Sequence, residues 1–264
     1  MARRSKARRM QNEASTGAPP SPYVQRQLPH FDVLDEAALE KLDAQVDWIL
    51  QDVGIAFRDD PEALRLWRSS GAKIEGDIVR APADWIRALC AKAPVQFTQR
   101  ARNPARSVTI GGNNQVFAPI YGAPFVRDLK GGRRYGDMDS FIKLVKLVQM
   151  LPSLHHSGLV IVEPCDVPVS KRHLDMVYAH MRYTDKPHLG AITEKSRAQD
   201  SVNMAEILHG KEVMDAHCVI MGNVNTNSPL LVDKVVTEAI RVYCGRGQRS
   251  EERRVGKECR SRWS

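Results

Sequence analysis

The sequence predicts an α/β protein in which a small α+β region precedes a series of parallel βα units. Three observations predict it. From residue 137 onward, short apolar runs of strand length alternate with segments whose apolar residues recur every three or four positions, the spacing of parallel βα units. Those short runs are apolar on both faces, as a sheet covered by helices requires. The stretch from 30 to 135 instead mixes short helices with turn-punctuated strand pairs.

Taken in order, residues 1–29 read as a disordered arm, basic at first and then rich in Ser, Gly and Pro through Pro19, Pro20 and Pro22. Asp35 is placed to cap a helix carrying Leu39, Leu42, Val46, Ile49, Leu50 and Val53 on one face, and Gly54 stops it. A second helix is expected over 61–70, then a tight hairpin over 73–80 turning at Gly76 and Asp77, then a third helix from Pro82 with Trp85, Ile86 and Leu89. Residues 95–135 are strand-like, with turns at 111–114 and 130–132. Residues 30–135 are thus expected to form a helical and hairpin cap region, and residues 136–248 the βα region.

In the second region Asp137 can cap a helix with Phe141, Leu144, Val145, Val148 and Leu151 on one face, ended by Pro152. Strands are expected at 158–162, 188–192 and 218–221, and helices over 170–183, 196–209 and 233–243. Residues 249–264, RSEERRVGKECRSRWS, carry no periodicity, cap or apolar face. The codons AGA TCG GAA GAG CGT CGT of a sequencing adapter encode Arg249 to Arg254 in frame, so this segment is expected to be a non-native tail and the natural sequence to be cut off near Gln248.

Composition excludes several classes. A chain of 264 residues with 42% hydrophobic residues can bury a core. No apolar run approaches the roughly 18 residues of a membrane span, and the basic start is not followed by a signal-peptide core, so a cytoplasmic protein without a membrane role is expected. The five cysteines have neither disulfide nor zinc spacing. Of the net charge of +8, residues 1–10 contribute +5 and residues 249–264 contribute +3, leaving 11–248 neutral, which argues against a nucleic-acid groove. GxGxxG after a strand, P-loop, GxSxG and HExxH motifs are all missing from the sequence.

Candidate site residues lie at the strand tips. The apolar run Cys218 to Met221 leads into a loop with Asn223, Asn225, Asn227 and Ser228, side chains that can bind a ligand or satisfy the loop's own backbone. Glu163 and Glu194 follow the two earlier strands, where they could balance a cation, act as acid and base, or serve only as a cap or surface ion pair. Tyr121, beside Gly122, Ala123 and Pro124, could face a quaternary ammonium through cation–π attraction or pack in the core. His155, His156, His173, His180 and His188 cluster with Cys165, but no pair has a dependable metal-ligand spacing, so no metal site is expected. Lys195 is the nearest candidate for a Schiff base in a lyase or aldolase reading, although it stands at a helix start.

At the Asn-rich loop followed by Ser228, Pro229 and Leu230, the chain resembles the trimethylamine methyltransferase family of corrinoid-dependent enzymes. The resemblance also rests on ILQDVGIAF at 49–57, SGAKIEGDIVRAP at 70–82, APVQFTQRARNPARSVTIGG at 93–112 and YGAPFVRDLKGGRR at 121–134, and it spans about residues 28–245. It implies that the chain is the N-terminal half of a (β/α)8 TIM barrel behind the cap, with residues 136–248 the partial barrel. It implies a methylated amine substrate, trimethylamine or glycine betaine or similar, whose methyl passes to the Co(I) corrinoid of a partner protein. No cofactor would be bound directly, and a full-length homo-oligomer is expected. Trimethylamine enzymes of the family carry pyrrolysine later in the barrel, beyond Gln248. The other readings are a non-catalytic quaternary-amine binder and a different TIM-barrel enzyme such as a lyase.

Overall fold

The computed structural model describes residues 23–29, 31–227 and 229–252, so most of the expected arm and all of the tail from 253 onward lie outside the described residues. A two-residue strand β1 (Val24–Gln25) is followed by helix α1 (Glu36–Trp48). The expected cap is present: the Asp35 carboxylate accepts from Ala38 N at 2.9 Å, satisfying a free amide of the first turn. No residue of α1 is buried, and Leu42, Val46 and Trp48 remain exposed. The last turn widens into a π-helical segment, Ile49–Val53, before Gly54 adopts φ 85° and turns the chain into β2 (Ile55–Arg58).

Helix α2 (Pro61–Ser69), the hairpin β3 (Lys73–Glu75) and β4 (Ile78–Arg80), and helix α3 (Ala83–Cys90) follow as the sequence predicts. Phe57 and Trp67 pack as a tilted ring pair at 5.4 Å and Trp67 and Trp85 as an edge-to-face pair at 5.7 Å, over Ala72, Val79 and Ala81. Strands β5 (Gln96–Gln99), β6 (Val108–Gly111) and β7 (Asn114–Gln115) form an antiparallel sheet with β1. A separate hairpin, β8 (Phe125–Asp128) and β9 (Gly132–Tyr135), closes this region.

The βα units then begin. Helix α4 (Met138–Met150) is capped by Asp137, whose carboxylate accepts from Ser140 N at 2.7 Å. The expected strand at 158–162 runs between two neighbours without a full ladder. Gly122 N donates to Val160 O at 2.7 Å and Glu163 N to Ala123 O at 2.8 Å on one side, and Leu189 N to Gly158 O at 2.9 Å on the other. Gly158, at φ 71°, interrupts the regular extended backbone. Helix α5 (Val169–Tyr183), strand β10 (Leu189–Gly190), helices α6 (Lys195–His209) and α7 (Lys211–Ala216), and strand β11 (Met221–Val224) complete two units. The short strand β12 (Leu231–Asp233), helix α8 (Lys234–Gly245) and strand β13 (Arg249–Glu252) follow. β10, β11 and β13 form a parallel sheet in register Leu189↔Met221↔Arg249. The architecture is mixed α/β with parallel βα units, and the described residues do not close into a barrel.

Helices cover one face of these strands. Phe141, Val145, Val148 and Val177 bury against Leu159 to Val162, and Ala198, Val202, Ala239 and Tyr243 against Val219 and Ile220. Tyr243 is wholly buried and its hydroxyl donates to Ala191 O at 2.9 Å. Its ring passes so close to the strands that a Cβ on Gly222 would lie 2.7 Å from the ring, and one on Gly190 would strike the hydroxyl. Glycine is therefore the only residue that fits at either position without displacing the tyrosine.

Two buried charges join regions distant in sequence. β12 pairs in parallel with β2, so the last described βα unit shares a sheet with the hairpin region. Beside it Asp60, 1% exposed, caps α2 by accepting from Ala63 N at 3.1 Å and also accepts from Arg241 at 2.9 Å and from the Thr237 hydroxyl. Burial alone would raise the Asp60 pKa; the hydrogen bonds from Thr237 and Ala63 and the Arg241 cation outweigh it and hold it below the usual carboxylate range. Lys186, 4% exposed, donates to Val148 O, Leu151 O and Leu154 O at 2.6, 2.8 and 2.7 Å. An ammonium's three donors thus meet three carbonyls at the C-terminus of α4, where the helix dipole favours a cation. Lys186→Met keeps the stem but removes the ammonium from all three carbonyls, leaving Val148 O and Leu151 O only their backbone bonds from Leu151 N and Leu154 N at 3.3 and 3.2 Å; it is expected to lower the unfolding free energy by ~2–4 kcal/mol in a urea titration.

Candidate functional site

On the face of the strands away from the helices, Met221 and Asn223 line a cavity of about 120 Å³. Their alternation follows from the strand period: Gly222 faces Tyr243, so its neighbours face the opposite side. Asn223 therefore belongs to β11 itself, two residues beyond the predicted strand end. The rest of the apolar wall is Ile110, Val116, Ala118, Pro119 and Leu189, with Gly158 between them. Polar atoms are supplied by Tyr121, His156 and Asn223, and no side chain with a formal charge at neutral pH contributes to this lining.

Both nitrogens of His156 are committed. Gly158 N donates to Nδ1 at 2.9 Å, so the proton resides on Nε2, which donates to Gln99 Oε1 at 3.0 Å. Gln99, fully buried, sends its own amide hydrogens to His188 O at 2.9 Å and Val219 O at 3.3 Å. A second chain lies behind it. His180 Nε2 donates to Leu159 O at 2.8 Å, which makes Nδ1 the acceptor for the Ser157 hydroxyl at 2.7 Å. The His180 ring stacks on His188 at 5.7 Å and meets Phe141 edge-on at 5.5 Å. Burial drives the His180 pKa down to about 3, the neighbouring His188 adding to the effect, and burial lowers His188 as well. These rings are neutral hydrogen-bonding groups buried behind the cavity, outside its lining.

Tyr121, half-buried, lines the cavity; burial and then the Glu163 carboxylate push its phenol above the ordinary value, so it stays protonated. Asn223 is 4% exposed and its Oδ1 has no hydrogen-bond partner among the described residues. The other predicted site residues lie elsewhere. The Glu163 carboxylate accepts from Arg172 at 2.6 Å. Glu194 precedes α6, exposed, and pairs with Arg197 at 3.3 Å. Asn225 and Asn227 are exposed; Asn227 donates to Asp233 across its own loop. Ser228 lies outside the described residues. Lys195 is exposed in the first turn of α6. His155 Nδ1 accepts from Phe117 N at 3.0 Å, and His173 Nε2 bonds Asp200 at 2.8 Å between α5 and α6. No group of three or more His, Cys, Asp or Glu among the described residues could hold a metal ion. His156 stands out in the sequence as one of a cluster, whereas no local pattern marks Gln99 as its partner.

The model of the trimethylamine methyltransferase family matches residues 1–251. The chain is 37% identical over 222 residues to glycine betaine methyltransferase of Desulfitobacterium hafniense (strain Y51), an alignment covering 84% of this chain and 46% of that protein. It is 27% identical over 199 residues to proline betaine:corrinoid methyltransferase of Eubacterium limosum, covering 69% of this chain and 39% of that one. The chain thus spans less than half the length of either relative.

Because His180 has a folded pKa of about 3 against an ordinary 6.5, the unfolded chain binds more protons between those values. The contribution of this group to stability is therefore complete above about pH 6.5 and declines as pH falls, by on the order of 5 kcal/mol in full. His180→Gln is expected to be less stable at about pH 7.5 yet to lose less on going to about pH 5, measured as the denaturant midpoint at both pH values.

Proposed function

The chain belongs to the trimethylamine methyltransferase family, and from that premise we propose that the whole protein transfers a methyl group from a quaternary amine of the betaine class to a corrinoid. The observation that carries this reading is the 37% identity with a glycine betaine methyltransferase across 84% of the chain. In this reading the Co(I) corrinoid is the acceptor substrate, carried by a separate protein, and not a group this chain holds. The parallel segments with helices on one face support an arc of a (β/α)8 barrel, fronted by the cap region of residues 30–135.

The cavity suits the chemistry. Displacement at an N-methyl carbon by an electron-rich metal joins a cation to a reduced nucleophile and yields a neutral amine, so charge diminishes along the reaction. An apolar, water-poor seat disfavours the separated charges more than the transition state, and its walls hold the methyl in line with the acceptor. Tyr121 and His156 place aromatic rings in the lining, the kind of group that attracts an ammonium head. The alternative of a lyase working through a Schiff base draws no support from Lys195, which is exposed at a helix start.

A chain of the relatives' length, given glycine betaine and free cob(I)alamin as acceptor, is expected to form dimethylglycine and methylcobalamin in equal amounts, followed by the change in corrinoid absorbance and by chromatography of the amine. Residues 1–264 alone are expected to show no turnover. Failure of the longer chain to demethylate any betaine would overturn the reading.

A further inference from the structure

We infer that the outer face of the β8–β9 hairpin is the docking surface for the protein that carries the corrinoid, meeting an acidic patch on that carrier. The inference rests on reading the cavity as the methylated-amine site and goes beyond it in assigning where the carrier lands. The register Phe125↔Tyr135, Val126↔Arg134, Arg127↔Arg133 divides the hairpin into two faces. On the inner face Val126 packs against the core and Arg134 reaches the Ser140 hydroxyl of α4 at 3.3 Å. The outer face carries Phe125, Arg127, Arg133 and Tyr135, with Leu129 and Lys130 fully in solvent at the turn. Arg127 and Arg133 are directly opposed, a like-charge cross-strand pair that costs the hairpin stability. No carboxylate among the described residues pairs with Arg127, Lys130 or Arg133. The hairpin's one acid, Asp128, is spent on Lys130 N, Gly131 N and Arg134 at 3.0, 2.5 and 2.5 Å. A carboxylate supplied from outside would relieve the repulsion.

The rest of the face has the make-up of a protein contact. Phe125 and Tyr135 pack at 4.7 Å with the Arg133 guanidinium 3.8 Å over the Phe125 ring, and Tyr135 stays exposed. Arginine and tyrosine beside apolar surface are the groups that anchor protein interfaces. Rings already covered in this way are poor platforms for stacking bases, and residues 11–248 are neutral overall, so a protein fits the face better than nucleic acid does. The hairpin also stands where an acceptor has to arrive. Its base is stitched to the C-terminal end of the 158–162 segment, Gly136 N donating to Pro124 O at 3.0 Å and Cys165 N to Gly136 O at 2.9 Å. Tyr121, in the cavity lining, precedes Phe125 by four residues, so their Cα atoms are at most ~14 Å apart. A carrier that brings cobalt to a methyl in the cavity covers about 800 Å² of this chain, and a patch of that size centred at Tyr121 has a radius of about 16 Å and takes in Phe125.

The test uses a chain of the relatives' length and presents cobalamin in two ways, free as cob(I)alamin and bound to a purified corrinoid carrier protein. Arg127→Glu is the informative variant, because it turns the like-charge pair with Arg133 into an opposite-charge one and so is expected to keep or raise the stability of the hairpin. Its KM for the cobalamin-loaded carrier is nevertheless expected to rise about tenfold at low salt and to depend less on added salt, while turnover of glycine betaine with free cob(I)alamin stays unchanged. Arg127→Lys, which keeps the charge, is expected to behave as the unaltered chain. An unchanged KM for the carrier in Arg127→Glu overturns the docking surface and leaves the methyl-transfer reading standing. A carrier that is not methylated by a chain that does methylate free cob(I)alamin has the same meaning. Loss of binding to a single-stranded oligonucleotide, with the carrier's KM unmoved, gives the face to nucleic acid and overturns the inference as well. Turnover with neither acceptor overturns the reading on which it rests. Should Arg127→Glu lose turnover with free cob(I)alamin, Lys130→Glu at the exposed turn repeats the comparison.

Discussion

One buried amide holds the site together. Gln99 ends β5, and its single side chain bonds His188 O, Val219 O and the His156 ring. Three successive parallel segments and the end of the antiparallel sheet are thereby fixed to one planar group whose donors and acceptor are all used. The backbone repeats the link, with Arg100 N donating to Cys218 O at 2.7 Å. In a buried setting such a group tolerates little displacement, because any strand that shifts leaves a polar atom unpaired in low dielectric. The cavity sits directly over this node, so the positions of His156, Leu189 and Met221 are consequences of it.

The same logic operates at the other junctions. Asp60 and Lys186 are charges the interior accepts only because every one of their strong hydrogen-bonding positions is answered: Asp60 by a helix amide, a hydroxyl and a guanidinium, Lys186 by three carbonyls. Each also answers a helix end. Asp60 caps α2 while gripping α8, and Lys186 caps α4 from the segment that leads into β10. Helix termini thus double as the fasteners between elements far apart in sequence.

What the sequence made legible was local. Asp35 and Asp137 cap the helices they precede, the hairpin turns at Gly76 and Asp77, and the alternation of strand and helix after residue 137 is that of parallel units. Each of these is decided within a few residues of chain. Gln99, Lys186 and the pairing of β12 with β2 depend on partners 32 to 175 residues away, and nothing in the local pattern marks them. The site was half legible for the same reason. Tyr121 and Asn223 face one cavity, whereas Glu163, Glu194 and Asn227 are engaged with Arg172, Arg197 and Asp233. Residues 249–252 carry the adapter-like sequence, yet they pair with β11, since an open parallel edge offers backbone groups that any extended segment can satisfy.

The engagement of Glu163 bears on the proposed methyl transfer. Its carboxylate is close enough to Tyr121 to raise the phenol's pKa, and a quaternary ammonium in the cavity would be drawn to it. A free carboxylate there would stabilise the cation most strongly before methyl transfer, when its charge is full, and less as that charge is neutralised. Such an interaction deepens the ground state more than the transition state and slows the step it accompanies. Arg172, 2.6 Å away and largely buried, neutralises the carboxylate before any ligand arrives. With that charge cancelled, recognition of the head falls to aromatic groups and apolar contact, whose attraction for the cation is weaker than a free carboxylate's, so less of it is surrendered as the cation disappears.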